Sequence, residues 1–156
     1  MLKNNLTRIT KQARPLSSHL EAIFILFEPC QSRQIIQLNE IQKGSAPFYY
    51  FPKSMNFASI DGMYARMDAV YLLQTTIAAH HPVKNAPLQR IFDFLCESLG
   101  VSQENVFLVF VVPKKTFDEG WITEQLLVSS SKAPEPVKQG KVPIKQYAID
   151  VDWVEF

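Results

Sequence analysis

The strongest pattern along the chain is the stretch Met67–Ile77 (MDAVYLLQTTI), which is nearly continuous in apolar and β-branched residues. Such a run predicts a central strand covered on both faces. After it, Leu88, Ile91, Phe92 and Leu95 recur at helical spacing, so Pro87–Leu99 reads as an amphipathic helix closed by Gly100. Val106–Val112 (VFLVFVV) follows as a second buried strand ended by Pro113. Strand, helix and strand in this order predict a right-handed βαβ unit with the two strands parallel.

The flanking pattern is weaker. Leu20, Ile23, Phe24 and Phe27 also fall at helical spacing, with Ser17 or Ser18 as N-cap, Glu21 in the capping-box position and Pro29 as the stop. This predicts a helix from about Ser17 to Phe27. Arg33–Leu38 alternates as a short strand, Lys43-Gly44-Ser45 is a loop, and Phe48–Phe51 is an aromatic strand stopped by Pro52. Met55–Ile60 follows, and Asp61-Gly62 reads as a hairpin turn or a strand end. Thr116–Leu127 predicts a short helix carrying Trp121, Ser129–Val142 a surface loop, and Ile144–Val151 a closing edge strand. Residues 1–14, basic and without an acid, read as a frayed helix or tail. The whole is one α/β domain over 15–156, with a mixed sheet of about five strands flanked by helices.

Composition sets the class. The chain has 156 residues, 47% apolar and 20% charged, which suits one globular domain. A net charge of +1 gives no global pull toward nucleic acid or membrane, so a basic surface would have to be local. Cys30 and Cys96 lie far apart, and no Cys-x-x-Cys or His-x3-His pair suggests zinc. No apolar run approaches the roughly 20 residues that span a bilayer. No secretion signal is visible, so an intracellular setting is the expectation, without a membrane.

Against this apolar frame a few polar residues stand out. Gln74 and Thr76 share one face of the central strand, where an unpaired polar group is costly. Asp61 ends a segment upstream, Glu21 lies in the predicted first helix, and His81 and Lys84 precede the βαβ helix. A Glu, an Asp and a Gln can bind a hard divalent cation through oxygen. Such a cation activates water and stabilises charge on a phosphodiester, while a lysine neutralises charge. Each residue also has an ordinary structural reading. Glu21 suits a helix cap, Asp61-Gly62 a turn, Gln74 with Thr76 a structural pair, His80 and His81 a helix entry, and Lys84 a solvated side chain. The cluster Phe48–Phe51 is read as core, with base stacking as the sharper alternative. Lys132, Lys138, Lys141 and Lys145 suit a solvated surface, with phosphate contact as the alternative.

The string IDGMYARMDAVYLLQTTIAAHHPVK resembles the C-terminal domain shared by Crinkler-type effector proteins and retrotransposon-hot-spot proteins. The matching features are Asp61, then Gln74-Thr75-Thr76, then His81-Pro82-Val83-Lys84 ahead of a helix. Pro15–Glu21, Val109–Pro113 and Ile144–Ile149 resemble the family's first helix, its Phe-Val-Val-Pro strand end and its closing strand. The resemblance implies a restriction-endonuclease-like fold related to the PD-(D/E)xK nucleases, acting on DNA, with Mg²⁺ as the metal and a nucleus as the place of action. It implies Asp61, Glu21 and Gln74 as metal ligands. Lys84 would be the charge partner, His81 an acid/base or phosphate contact, and Thr76 a further motif residue. Relatives carry an upstream P-loop ATPase domain, and this chain holds no Gly-x4-Gly-Lys-[Ser/Thr], which implies a short member or a piece of a longer protein.

Two departures open a second class of function. The (D/E)xK strand reads Gln74-Thr75-Thr76, with neither acid nor lysine, and Leu20-Glu21 replaces the expected Phe-Glu. A domain that keeps the fold without catalysis would serve as an effector module binding nucleic acid or a host protein.

Overall fold

In the computed structural model, which describes residues 8–53, 57–78, 80–119, 123–128 and 142–151, ten strands and two α-helices succeed one another. The strands are β1 (Ile9–Pro15), β2 (Ile23–Phe27), β3 (Gln31–Ile35), β4 (Phe48–Pro52), β5 (Gly62–Ala65), β6 (Val70–Thr75), β7 (Val83–Lys84), β8 (Val106–Pro113), β9 (Leu127–Val128) and β10 (Lys145–Val151). The helices are α1 (Asn85–Asp93) and α2 (Lys114–Asp118). Eight strands form one mixed sheet in the order β2-β1-β10-β8-β6-β5-β4-β3, and β7 and β9 form a small parallel pair beside it. The protein is therefore α/β with a large sheet and few helices. Among the described residues no helix is long and apolar enough to cross a membrane.

The central strand–helix–strand unit forms as expected. β6 and β8 are parallel neighbours, in register from Val70 opposite Val106 to Thr75 opposite Val111, and α1 lies between them in sequence. Strand alternation divides the sheet into two faces. On one, Leu72, Leu108, Phe110 and Ala148 pack against Leu88, Ile91, Phe92 and Leu95 of the helical stretch. On the other, Ala13, Ile25, Tyr64, Tyr71, Val109 and Tyr147 form a second core. That second core exists because the sheet curls. The Tyr64 hydroxyl on β5 donates to the Leu26 carbonyl (3.2 Å) and accepts from the Glu28 N–H (3.0 Å), so it reaches β2, five strands away in sheet order. Arg66 adds a 2.7 Å bond to the same Leu26 carbonyl and lies 3.6 Å from Glu28.

Several expectations give way. The predicted helix from Ser17 is a turn followed by strand β2, paired antiparallel to β1 from Ile9 opposite Phe27 to Ala13 opposite Ile23. The run Ile23-Phe24-Ile25-Leu26-Phe27 fits a period of two as well as a helical one: Ile25 is fully buried and Phe24 is 68% exposed. β-branched residues and a paired neighbour favour the strand. Much of the supposed basic tail is strand β1, with Ala13 fully buried; residues 1–7 lie outside the described set. β10 is not an edge. It runs between β1 and β8, which explains why Ala148 and Ile149 are both buried. The sheet has eight strands rather than about five because β1, β2 and β5 add to it.

Smaller shifts have local causes. β6 starts at Val70, because Arg66–Ala69 forms the tight turn from β5, closed by the Arg66 N–H on the Ala69 carbonyl at 2.8 Å. Asp61-Gly62 accordingly opens β5 rather than turning a hairpin. The short strand placed at Arg33–Leu38 lies at Gln31–Ile35, and Phe57–Ile60 forms a turn. The helical stretch ends where Gly100 takes a φ of 67°. The predicted helix Thr116–Leu127 shrinks to α2, since residues 123–126 are irregular and Leu127 enters β9. Trp121, Met55 and residues 129–141 of the predicted loop lie outside the described set, and Val142 is buried.

Candidate functional site

The site is built at the end of β6. Asp61 immediately precedes β5, and the antiparallel register that sets Gly62 opposite Leu73 brings Asp61 beside Gln74. The Asp61 N–H donates to the Leu73 carbonyl at 2.8 Å. Asp61 Oδ2 accepts the Thr75 N–H at 2.7 Å and the Gln74 side-chain Nε2–H at 3.2 Å. Gln74 is thus a buried polar residue with a partner, as the energetics of a central strand demand. Among the described residues, Asp61 Oδ1 accepts no hydrogen bond.

The other side of the site is carried by the segment after β6. Ser59, 1% exposed, donates its hydroxyl to the Lys84 carbonyl at 2.6 Å, which ties Lys84 to the turn leading into Asp61. The His81 ring meets Phe110 edge-on at 6.4 Å, and Phe110 is the β8 partner of Gln74. The His81 N–H donates to Gln125 Oε1 at 2.6 Å. The His81 ring therefore lies against the β8 partner of Gln74, and the Lys84 main chain lies beside the turn that precedes Asp61. In open α/β sheets the carboxyl ends of parallel strands are where ligands bind. Thr76 belongs to the strand exit: its N–H reaches the Val111 carbonyl and its Oγ1 accepts the Ala78 N–H at 3.1 Å.

Glu21 does not join them. It is exposed in the segment between β1 and β2, and β1, β10 and β8 separate β2 from β6. Among the described residues no three His, Cys, Asp or Glu side chains come together as a metal-holding group. The donors present at Asp61 are one carboxylate oxygen without a hydrogen bond and the Gln74 amide. That set suits a single hard cation that keeps most of its waters. Lys132, Lys138 and Lys141 lie outside the described residues, and Lys145 leans its ammonium toward Phe107 at 5.8 Å.

Three contributors escaped the sequence reading. Tyr49 on β4 lies over Gly62, where any Cβ would collide with its phenol oxygen. Burial pushes the Tyr49 phenol up, and the Asp61 charge pushes it further. Gln125 sits in a stretch whose pattern predicts helix, and Gln146 in a strand whose pattern predicts an edge. The signal available for Gln146 was its place on the same face as Ala148, where a polar residue would be buried if the strand were central. Compared with known proteins, the chain matches no family model, no curated protein and no solved structure.

Proposed function

We propose that this chain is a nuclease-like domain of restriction-endonuclease type that acts on a DNA phosphodiester at the end of β6. The observation that carries the reading is the Asp61–Gln74 pair, joined at 3.2 Å, with the His81 ring against the β8 partner of Gln74 and the Lys84 main chain bonded to Ser59. The order Asp, Gln-x-Thr, His-Pro-Val-Lys resembles the Crinkler and retrotransposon-hot-spot domains, which supports the same assignment. Asp61 Oδ1 and the Gln74 carbonyl oxygen would hold one Mg²⁺, which supplies an activated water and charge neutralisation on the phosphodiester. Thr75 N–H and Gln74 Nε2 fix the carboxylate. Lys84, exposed beside Ser59, offsets phosphate charge, and His81 is in reach of the same strand end as a phosphate contact or proton donor.

One observation favours a second reading, in which the module binds nucleic acid or a host protein without cleaving. Gln74 is neutral and gives Asp61 an N–H, so the pair carries one negative charge where a metal-dependent nuclease commonly carries two. Plasmid cleavage by the purified chain with Mg²⁺ or Mn²⁺, beside Asp61→Ala, separates the two. Cleavage lost in the variant supports the nuclease reading. Absent cleavage, or cleavage equal in both proteins, rejects it, and retained gel-shift binding to DNA then favours the binding module.

A further inference from the structure

The opposite end of β6 holds a cavity that the proposed function leaves unused. Its volume is about 590 Å³, within the range of pockets that enclose small organic ligands. It lies where β6 begins at Val70. Val70 and Gln74 are four residues apart on one strand, or about 13 Å at strand rise, so the two sites are distinct. The floor is apolar and buried: Ile41, Tyr50, Val70 and Leu95. Protein interiors are close-packed, and an apolar floor left without packing partners forfeits dispersion contacts.

Two further features stand at this cavity. The helical stretch above it widens into a π-turn at Phe94–Ser98, where the Leu99 N–H donates to the Phe94 carbonyl five residues back at 3.2 Å. Such turns are rare and are frequent at functional sites. At the mouth stands Met67, 70% exposed. An unbranched thioether in that position adapts to varied apolar partners.

The chemistry of the walls selects the ligand. The Phe48 and Tyr50 rings stack at 4.7 Å. The Tyr50 hydroxyl is already bonded to both the N–H and the carbonyl of Gln42, so this wall offers ring surface and not a polar handle. The Arg66 guanidinium is committed to Leu26, Glu28 and Asp68. Lys43 is exposed on the rim and has no ion pair among the described residues. A flat apolar body against Phe48 and Tyr50 with an acidic group at Lys43 satisfies both wall and rim. We infer that this cavity binds a small planar aromatic anion.

The test uses anilinonaphthalene sulfonate as the probe, with neutral phenylnaphthylamine as its uncharged counterpart, on the full chain. The sulfonate is expected to bind one to one, with amide shifts in nitrogen-labelled protein at Gly44, Met67 and Val101. Lys43→Glu should weaken the sulfonate about fivefold, the scale of a rim charge, and leave the neutral probe unchanged. Met67→Glu should weaken both probes. Both substitutions are on exposed positions, and unchanged melting curves confirm that the fold is intact. Absence of saturable binding overturns the inference, as do affinities indifferent to both variants or shifts centred on Gln74. Plasmid cleavage plays no part in these readouts, so this inference and the nuclease reading stand or fall separately.

Discussion

Gln146 holds the peptide of Gln125 from both sides: its Oε1 accepts the Gln125 N–H at 2.8 Å and its Nε2 donates to the Gln125 carbonyl at 2.9 Å. Gln125 in turn accepts the His81 N–H and donates its own Nε2 to the Thr123 carbonyl at 2.8 Å. Both glutamines are buried, and every side-chain polar atom has a partner. The pair therefore carries the position of His81 from the sheet interior outward. Gln146→Leu strands a buried N–H and a buried carbonyl, which costs about 3 kcal/mol. Gln146→Glu keeps the acceptor but turns an oxygen on the Gln125 carbonyl, so it should cost less than the leucine only at acid pH, where a protonated carboxyl donates in place of the amide. Urea denaturation of the two variants at neutral and acid pH checks this; a ranking that does not change with pH would remove the hydrogen-bond account.

Asp61 serves the fold as well as the proposed chemistry. Its Oδ2 accepts two N–H groups, so Asp61→Ala should destabilise by about 2 kcal/mol, and Asp61→Asn, which retains an acceptor, by about 1 kcal/mol. If cleavage depends on the charge, both variants lose it alike despite the unequal stability losses. Cleavage that instead tracks the melting temperature would assign Asp61 a structural role alone.

Gly62 is required by its neighbour and not by its backbone angle, since Gly100 alone among the described residues has positive φ. A Cβ at Gly62 runs into the Tyr49 phenol. Gly62→Ala should cost about 2 kcal/mol through overpacking. Tyr49→Leu in the same chain should recover part of that loss, a coupling that a double-mutant cycle measures directly. Strictly additive losses would mean that the two residues do not meet.

Where the sequence carried one dominant period, the elements were legible: β6, the helical stretch from Asn85 and β8 follow from the run at Met67–Ile77, the spacing of Leu88, Ile91, Phe92 and Leu95, and the run at Val106–Val112. Where two periods fit, tertiary pairing decided. Ile23–Phe27 joined β1 because a long partner strand was available, and nothing local announces a partner. The site divided in the same way. Asp61 meets Gln74 through the β5–β6 register, and His81 and Lys84 follow on the crossover from β6, an order the sequence encodes. The metal-ligand expectation for Glu21 rests on a helix that the chain does not form. Tyr49, Gln125 and Gln146 act through pairings made across the sheet, and no spacing rule reports those.

The curl of the sheet rests on few polar contacts. Tyr64→Phe removes the hydroxyl that satisfies the Leu26 carbonyl and the Glu28 N–H, while leaving the ring packed 5.1 Å from Phe27. The expected loss is about 1–2 kcal/mol, with faster amide exchange concentrated at Glu28 and the end of β2. Exchange that rises uniformly over β6 and β8 instead would place the hydroxyl's effect in the whole core.

Alkaline pH should weaken the fold through its buried phenols. Burial, first among the causes in each case, raises Tyr49, Tyr71 and Tyr147, with Asp61 adding to the shift at Tyr49 and Asp68 at Tyr71. An unfolded tyrosine ionises near a pKa of about 10. Below that pH both states are neutral and this contribution to stability is fully present. As pH rises from there through the raised folded values, the unfolded chain releases its protons first, and stability falls. Tyr49→Phe removes one of the three titrations, so the decline of the urea midpoint between about pH 9 and pH 11.5 should be shallower than in the parent chain. An identical decline would mean that the Tyr49 phenol ionises as freely folded as unfolded, and that Asp61 exerts no charge on it.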